Sequence, residues 1–191
     1  WTAVLMLPGL AARGAVLLFA VNVWTLEGKG MVWRATLAVD PELVWRARVW
    51  VTAECVMVVS ALTVVLAALR NGLPAVTVGL SLVACWLVVC AQVVSVSMVW
   101  SVRNPFGVDL SSPRATPAPH ARMAGYAGRL SLVTTMTALI FTSASALPWW
   151  WLPIAIAPPF LAWSLWRLRR ARQRWLQPDE RARIVLAVAA V

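Results

Sequence analysis

A single histidine limits what this chain can catalyse. His120 sits in a proline-rich stretch, and no Ser/His/Asp or Cys/His set for nucleophilic catalysis can be assembled around it. Only seven carboxylates are present, and they are scattered: Asp109 lies in a loop, and Asp179 and Glu180 stand at the start of a late helix. The three cysteines, Cys55, Cys85 and Cys90, fall inside apolar runs without the paired spacing of a zinc site, and read as small helix-packing residues. Glu27-Gly28-Lys29-Gly30 places the only lysine between glycines but lacks the GxxxxGK[ST] spacing that cradles phosphates. No catalytic, cofactor-binding or metal-ligating residues are expected, so any energy source must lie outside this chain.

What the chain has in excess is apolar length. Hydrophobic residues make up 61% of it, with a mean hydropathy of +0.77. Apolar runs at 1–24, 50–69, 75–100, 130–147 and 152–166 predict an all-α, polytopic integral membrane helix bundle of about five spans, one transmembrane domain over 1–191. The expected location is the cell membrane, with the lipid bilayer as the first partner.

The net charge of +10 does not point to nucleic acid, because the basic residues collect between and after the apolar runs. The 25–48 connection holds Lys29, Arg34, Arg46 and Arg48, and the 101–129 connection holds Arg103, Arg114, Arg122 and Arg129. The segment 167–191 holds seven arginines, whereas the two alternate connections hold Arg70 and no basic residue. Basic and neutral connections alternate, which predicts a cytoplasmic loop at 25–48, a cytoplasmic Pro-rich loop at 101–129 and a cytoplasmic basic tail at 167–191, with Trp1 outside.

Several polar residues interrupt the runs. Pro8 and Gly9 should bend the first; Arg13 within it either stands near the interface or lines a pathway. Glu54 is expected to pair with Arg46, Arg48 or another helix. Gln92, Ser95, Ser97 and Ser101 are expected to hydrogen-bond neighbouring helices. The prolines of 101–129 predict a loop that ends in a short helix near 123–128. Trp149, Trp150 and Trp151 read as a membrane-interface belt, and Pro158-Pro159 should break the fifth run or make it oblique. Arg167, Arg169 and Arg170 open a cluster expected to anchor the chain at the membrane surface.

The first polar interruption, NVWTLEGKGMVWRATLAVDPELVWRARVWV from residue 22 to 51, is the most informative stretch. Asp40 can cap a helix, Pro41 loses nothing at its first position, and Glu42 suits the positive end of the dipole. A short interfacial helix, PELVWRARVWV, should follow before the chain turns into the membrane. This stretch resembles the membrane subunits of bacterial ABC-type exporters of the two-protein type. The likeness rests on Asn22, the acid–glycine turn at Glu27-Gly28-Lys29-Gly30, and the Pro41-started helix with Arg46 or Arg48; SVRNPFGVDLSSP is similar to a later cytoplasmic loop of that family. The resemblance implies a permease subunit without its N-terminal span, with ATP and Mg on a separate cytoplasmic ATPase and a second permease copy or half as partner. It assigns ATPase coupling to Asp40, Pro41, Glu42, Leu43, Arg46 and Arg48, and leaves Arg13, Asn22, Glu54 and Gln92 as pathway or helix-packing residues. The alternative is a membrane scaffold or assembly subunit that binds acidic lipids or a partner protein.

Overall fold

The computed structural model describes residues 1–107 and 120–190, and these are helical with no strand among them. The helices are α1 (Leu7–Phe19), α2 (Gly30–Thr36), α3 (Pro41–Asn71), α4 (Val76–Arg103), α5 (His120–Ser145), α6 (Leu152–Leu176) and α7 (Pro178–Ala189). Short 3₁₀ turns at Thr2–Met6 and Thr25–Glu27 precede α1 and α2.

Two helices, α3 and α4, are long and apolar enough to cross a membrane. They differ in their surroundings: 78% of the most apolar stretch of α4 is buried in the protein, against 22% of that of α3. Helix α4 touches α1, α3, α5 and α6 and is the central post. Helix α3 buries only a stripe, Trp45, Thr52, Val56, Ser60 and Ala67, and turns Trp50, Val58, Leu62, Leu66 and Leu69 outward. An uncovered apolar face of that length would be costly in water and sits at no cost against hydrocarbon.

Polar side chains hold the helices in register. Trp86 Nε1 on α4 donates to Ser60 Oγ on α3 (2.8 Å), and Thr137 on α5 donates to Gln92 Oε1 on α4 (2.8 Å). Arg13 Nη1 on α1 donates to Ser131 Oγ on α5 (2.9 Å), so this arginine faces a neighbouring helix. Ser97 and the Tyr126 hydroxyl lie 2.6 Å apart, joining α4 to α5. Ser95, by contrast, returns its hydroxyl to the carbonyl of Gln92 on its own helix. The Cβ of an alanine at Gly125 would stand 3.2 Å from the Trp100 ring, which is how closely α5 rides on α4 there.

Several expectations are corrected. The bend expected at Pro8 and Gly9 falls where the 3₁₀ turn passes into α1: Pro8 sits in the first turn of that thirteen-residue helix, where its missing N–H is not needed. The predicted short helix after Asp40 has no joint after it; α3 runs unbroken from Pro41 to Asn71, about 46 Å at 1.5 Å per residue. Pro158 and Pro159 do not break α6; they leave the carbonyls of Ile154 and Ala155 without their i+4 donors on an exposed face near the start of the helix. The arginine-rich segment is therefore the last turns of α6, and α7 folds back to pack on α2. The helix expected near 123–128 is the beginning of α5, and α4 extends to Arg103, so the connection between them is shorter than predicted. Most of that connection, 108–119 with Asp109, Pro113, Arg114, Pro117 and Pro119, lies outside the described residues. Cys85 and Cys90 are buried as expected, but Cys55 is exposed on the outer face of α3.

Candidate functional site

The basic segments meet at one end of the bundle, and residues 22–48 build its centre. Asn22 is buried; its Nδ2 donates to the Phe106 carbonyl (2.9 Å) while its Oδ1 accepts the Trp24 N–H (3.1 Å). The Val23 N–H donates to Ser101 Oγ (3.0 Å), so the segment leaving α1 is sewn to the end of α4. At Gly28 the backbone takes a φ of +47°, a conformation that side chains resist, and this turns the chain into α2. Gly30 has open space around it and an ordinary backbone, so it makes no such demand.

Glu27, just before that turn, is the electrostatic hub. Its Oε1 pairs with both Arg34 on α2 and Arg48 on α3, all three side chains being mostly covered. The Arg48 guanidinium also lies over the Trp24 ring, 6.0 Å from its centroid. One carboxylate thereby fixes how α2 sits against α3. Arg34 keeps its charge despite burial, which lowers its pKa from the ordinary value.

The start of α3 has the predicted cap: Asp40 Oδ1 accepts the Glu42 N–H at 2.9 Å. Glu42 accepts from Arg46 (2.8 Å) and from Arg172 on α6 (2.6 Å). Its pKa is held below the ordinary carboxylate value, first by the hydrogen bond from Arg172 and then by that from Arg46, against some desolvation. Beside this pair Trp175 Nε1 donates to the Pro41 carbonyl (2.9 Å), and the Trp175 ring stacks on Trp24 at 4.1 Å between centroids. Trp24, Trp45 and Trp175 form a buried aromatic knot that ties the loop after α1, the start of α3 and the end of α6 into one body.

The six residues assigned to coupling thus lie close together but face different ways. Leu43 and Arg46 point outward beside an open groove of about 700 Å³ between α3 and α6, whose opposite wall carries Arg169 and Arg172. Glu42 and Arg48 turn inward to other helices. Asn22, Gln92 and Arg13 each hold a hydrogen-bond partner on another segment: the Phe106 carbonyl, Thr137 and Ser131. Glu54 pairs with neither Arg46 nor Arg48, whose carboxylates are Glu42 and Glu27; it is exposed on the outer face of α3, one turn beyond Trp50, without a partner among the described residues. Trp149, Trp150 and Trp151 are exposed where α5 turns into α6, at the opposite end of the bundle. The arginines of 167–174 divide: Arg172 serves Glu42, Arg169 faces the groove, and Arg167, Arg170 and Arg174 turn toward α4.

Sequence reasoning missed Glu27 as a double anchor, Arg172 as the partner of Glu42, and the tryptophan knot. A signal existed for the first two, because a chain with few carboxylates and many cations tends to load each buried carboxylate with more than one partner. No pattern links Trp24 to Trp175, which are 151 positions apart. Among the described residues no group of His, Cys, Asp and Glu is placed to hold a metal ion. Comparison with models of known protein families, with curated proteins and with solved structures returned no match.

Proposed function

We propose that the chain is the membrane (permease) subunit of an ATP-driven exporter, working with a separate cytoplasmic ATPase that carries ATP and Mg and with a second permease copy or half. In this reading α1, α5 and α6 join α3 and α4 in the bilayer to make five crossings, with the basic end in the cytoplasm. The reading rests on the continuity of α3. Its first two turns, with Leu43 and Arg46 exposed, and its membrane-length apolar stretch are one rod with no joint between them. A push on those turns would move the rod, and the Glu42–Arg172 and Trp175–Pro41 bonds would carry it to α6. Binding energy from an ATPase can shift a membrane conformation only through such differential contacts.

Retention of an ATPase when the chain is purified in mild detergent is the primary test. Arg46→Glu should leave insertion unchanged and weaken ATPase binding about tenfold, about 1.4 kcal/mol. Insertion without any ATPase partner, or Arg46→Glu with full affinity and full stimulation of hydrolysis, would end the coupling assignment and favour the scaffold reading. The orientation makes its own prediction. In a cysteine-free background, single cysteines replacing the exposed Trp33 and Trp150 should be labelled from opposite faces of the membrane, Trp33 from the cytoplasm. Labelling of both from one side contradicts the five-span topology.

A further inference from the structure

The α6 arginines on the side of α4 are not alone, although most of them keep an exposed edge. Arg167, Arg170 and Arg174 share a helix face at spacings of three and four, and with Arg103, the last residue of α4, they line a cleft of about 310 Å³. Arg129 of α5 stands close enough to act electrostatically on both Arg103 and Arg167. Among the described residues no carboxylate lines the cleft, and none of the five guanidinium groups has an ion pair or hydrogen-bond acceptor. Three glutamates of this end are engaged elsewhere: Glu27 by Arg34 and Arg48, Glu42 by Arg46 and Arg172, Glu180 by Arg183.

The cluster is nevertheless held in place. The Arg170 guanidinium lies over Trp166, 4.5 Å from the ring centroid, and Trp166 stacks on Trp163. Arg129 lies over Trp100 at 5.0 Å. Like charges so gathered repel, and the rings hold two of them, Arg129 and Arg170, in place against that repulsion. Val99 and Val102 give the cleft an apolar wall that continues along α4 into its membrane-length stretch.

We propose that this cleft binds a phosphate-bearing anion, supplied either as the headgroup of an anionic lipid or as a soluble phosphate ester. Guanidinium groups match phosphate oxygens in paired hydrogen bonds, and a basic cleft between helices beside interfacial tryptophans is suited to a headgroup whose chains follow the apolar wall. The site does not require the chain to be an exporter.

The test uses the full chain in neutral detergent, titrated with short-chain phosphatidylglycerol, short-chain phosphatidylcholine, glycerol 3-phosphate and inorganic phosphate. Saturable binding of phosphatidylglycerol is expected, with Arg103→Gln and Arg170→Gln each weakening it about tenfold, as loss of a charge-assisted hydrogen bond should. Arg70→Gln, the same charge change at the far end of the bundle, should leave it unaltered. Without ligand, Arg103→Gln should melt no lower than the parent, because one repelling charge has gone; a lower melting point would make Arg103 a structural residue and overturn the proposal. Competition by glycerol 3-phosphate or inorganic phosphate assigns a soluble ester, and its absence assigns a lipid headgroup. Equal affinity for phosphatidylglycerol and phosphatidylcholine, or equal loss in all three variants, refutes the site.

Discussion

Trp175→Ala should loosen the basic end of the bundle at a cost of about 3–5 kcal/mol, the range for truncating a buried tryptophan. Trp175 is 1% exposed, stacks on Trp24 and donates to the Pro41 carbonyl, so three chain segments lose a shared neighbour at once. The effect should be local. Hydrogen exchange is expected to rise across residues 24–45 and 172–188, while the amides of α4 between Val88 and Met98, buried on all sides, stay protected. Trp175→Phe separates the two contributions. It keeps most of the stacking and loses the hydrogen bond, about 1 kcal/mol, so it should melt between the parent and the alanine variant. Uniform loss of protection along α4, or none at residues 24–45, would show that the knot does not organise this end.

Glu27→Gln should cost about 3 kcal/mol, the lower part of the range for stripping one partner from a buried ion pair. The side chains of Glu27, Arg34 and Arg48 are only 16–26% exposed, so both guanidinium groups would be left poorly solvated and facing each other. The sign of the double variant is the sharper check. Glu27→Gln with Arg48→Gln removes the repulsion as well as the attraction, so it should melt higher than Glu27→Gln alone. Thermal unfolding in detergent measures both. A double variant no more stable than the single one would mean that Glu27 acts through something other than these charges. Helix α2 should be the first element to detach, because Arg34 is its tie to Glu27 and its other support is α7.

What the amino-acid sequence determined by itself is the content carried by near neighbours. The apolar stretches of α3 and α4 are legible because each residue's preference for hydrocarbon adds along a helix that satisfies its own backbone hydrogen bonds. The start of α3 is legible because Asp40, Pro41 and Glu42 act within one turn. The gathering of basic segments at one end follows from the alternation of connections along an up-and-down chain.

Tertiary structure decided the rest. The local pattern at Pro158-Pro159 predicted a break or an oblique course, and α6 runs through both prolines unbroken. That Arg48 belongs to Glu27 rather than Glu54, and that Arg172 reaches Glu42 130 positions away, depends on which helices pack together. Charges choose partners by distance in space, and a sequence lists candidates without distances. The same holds for the arginine cleft. Arg103 reads alone as a charge of the 101–129 connection and Arg167 as an interfacial anchor, and only the packing of α4 against α6 turns them into opposite walls of one cleft.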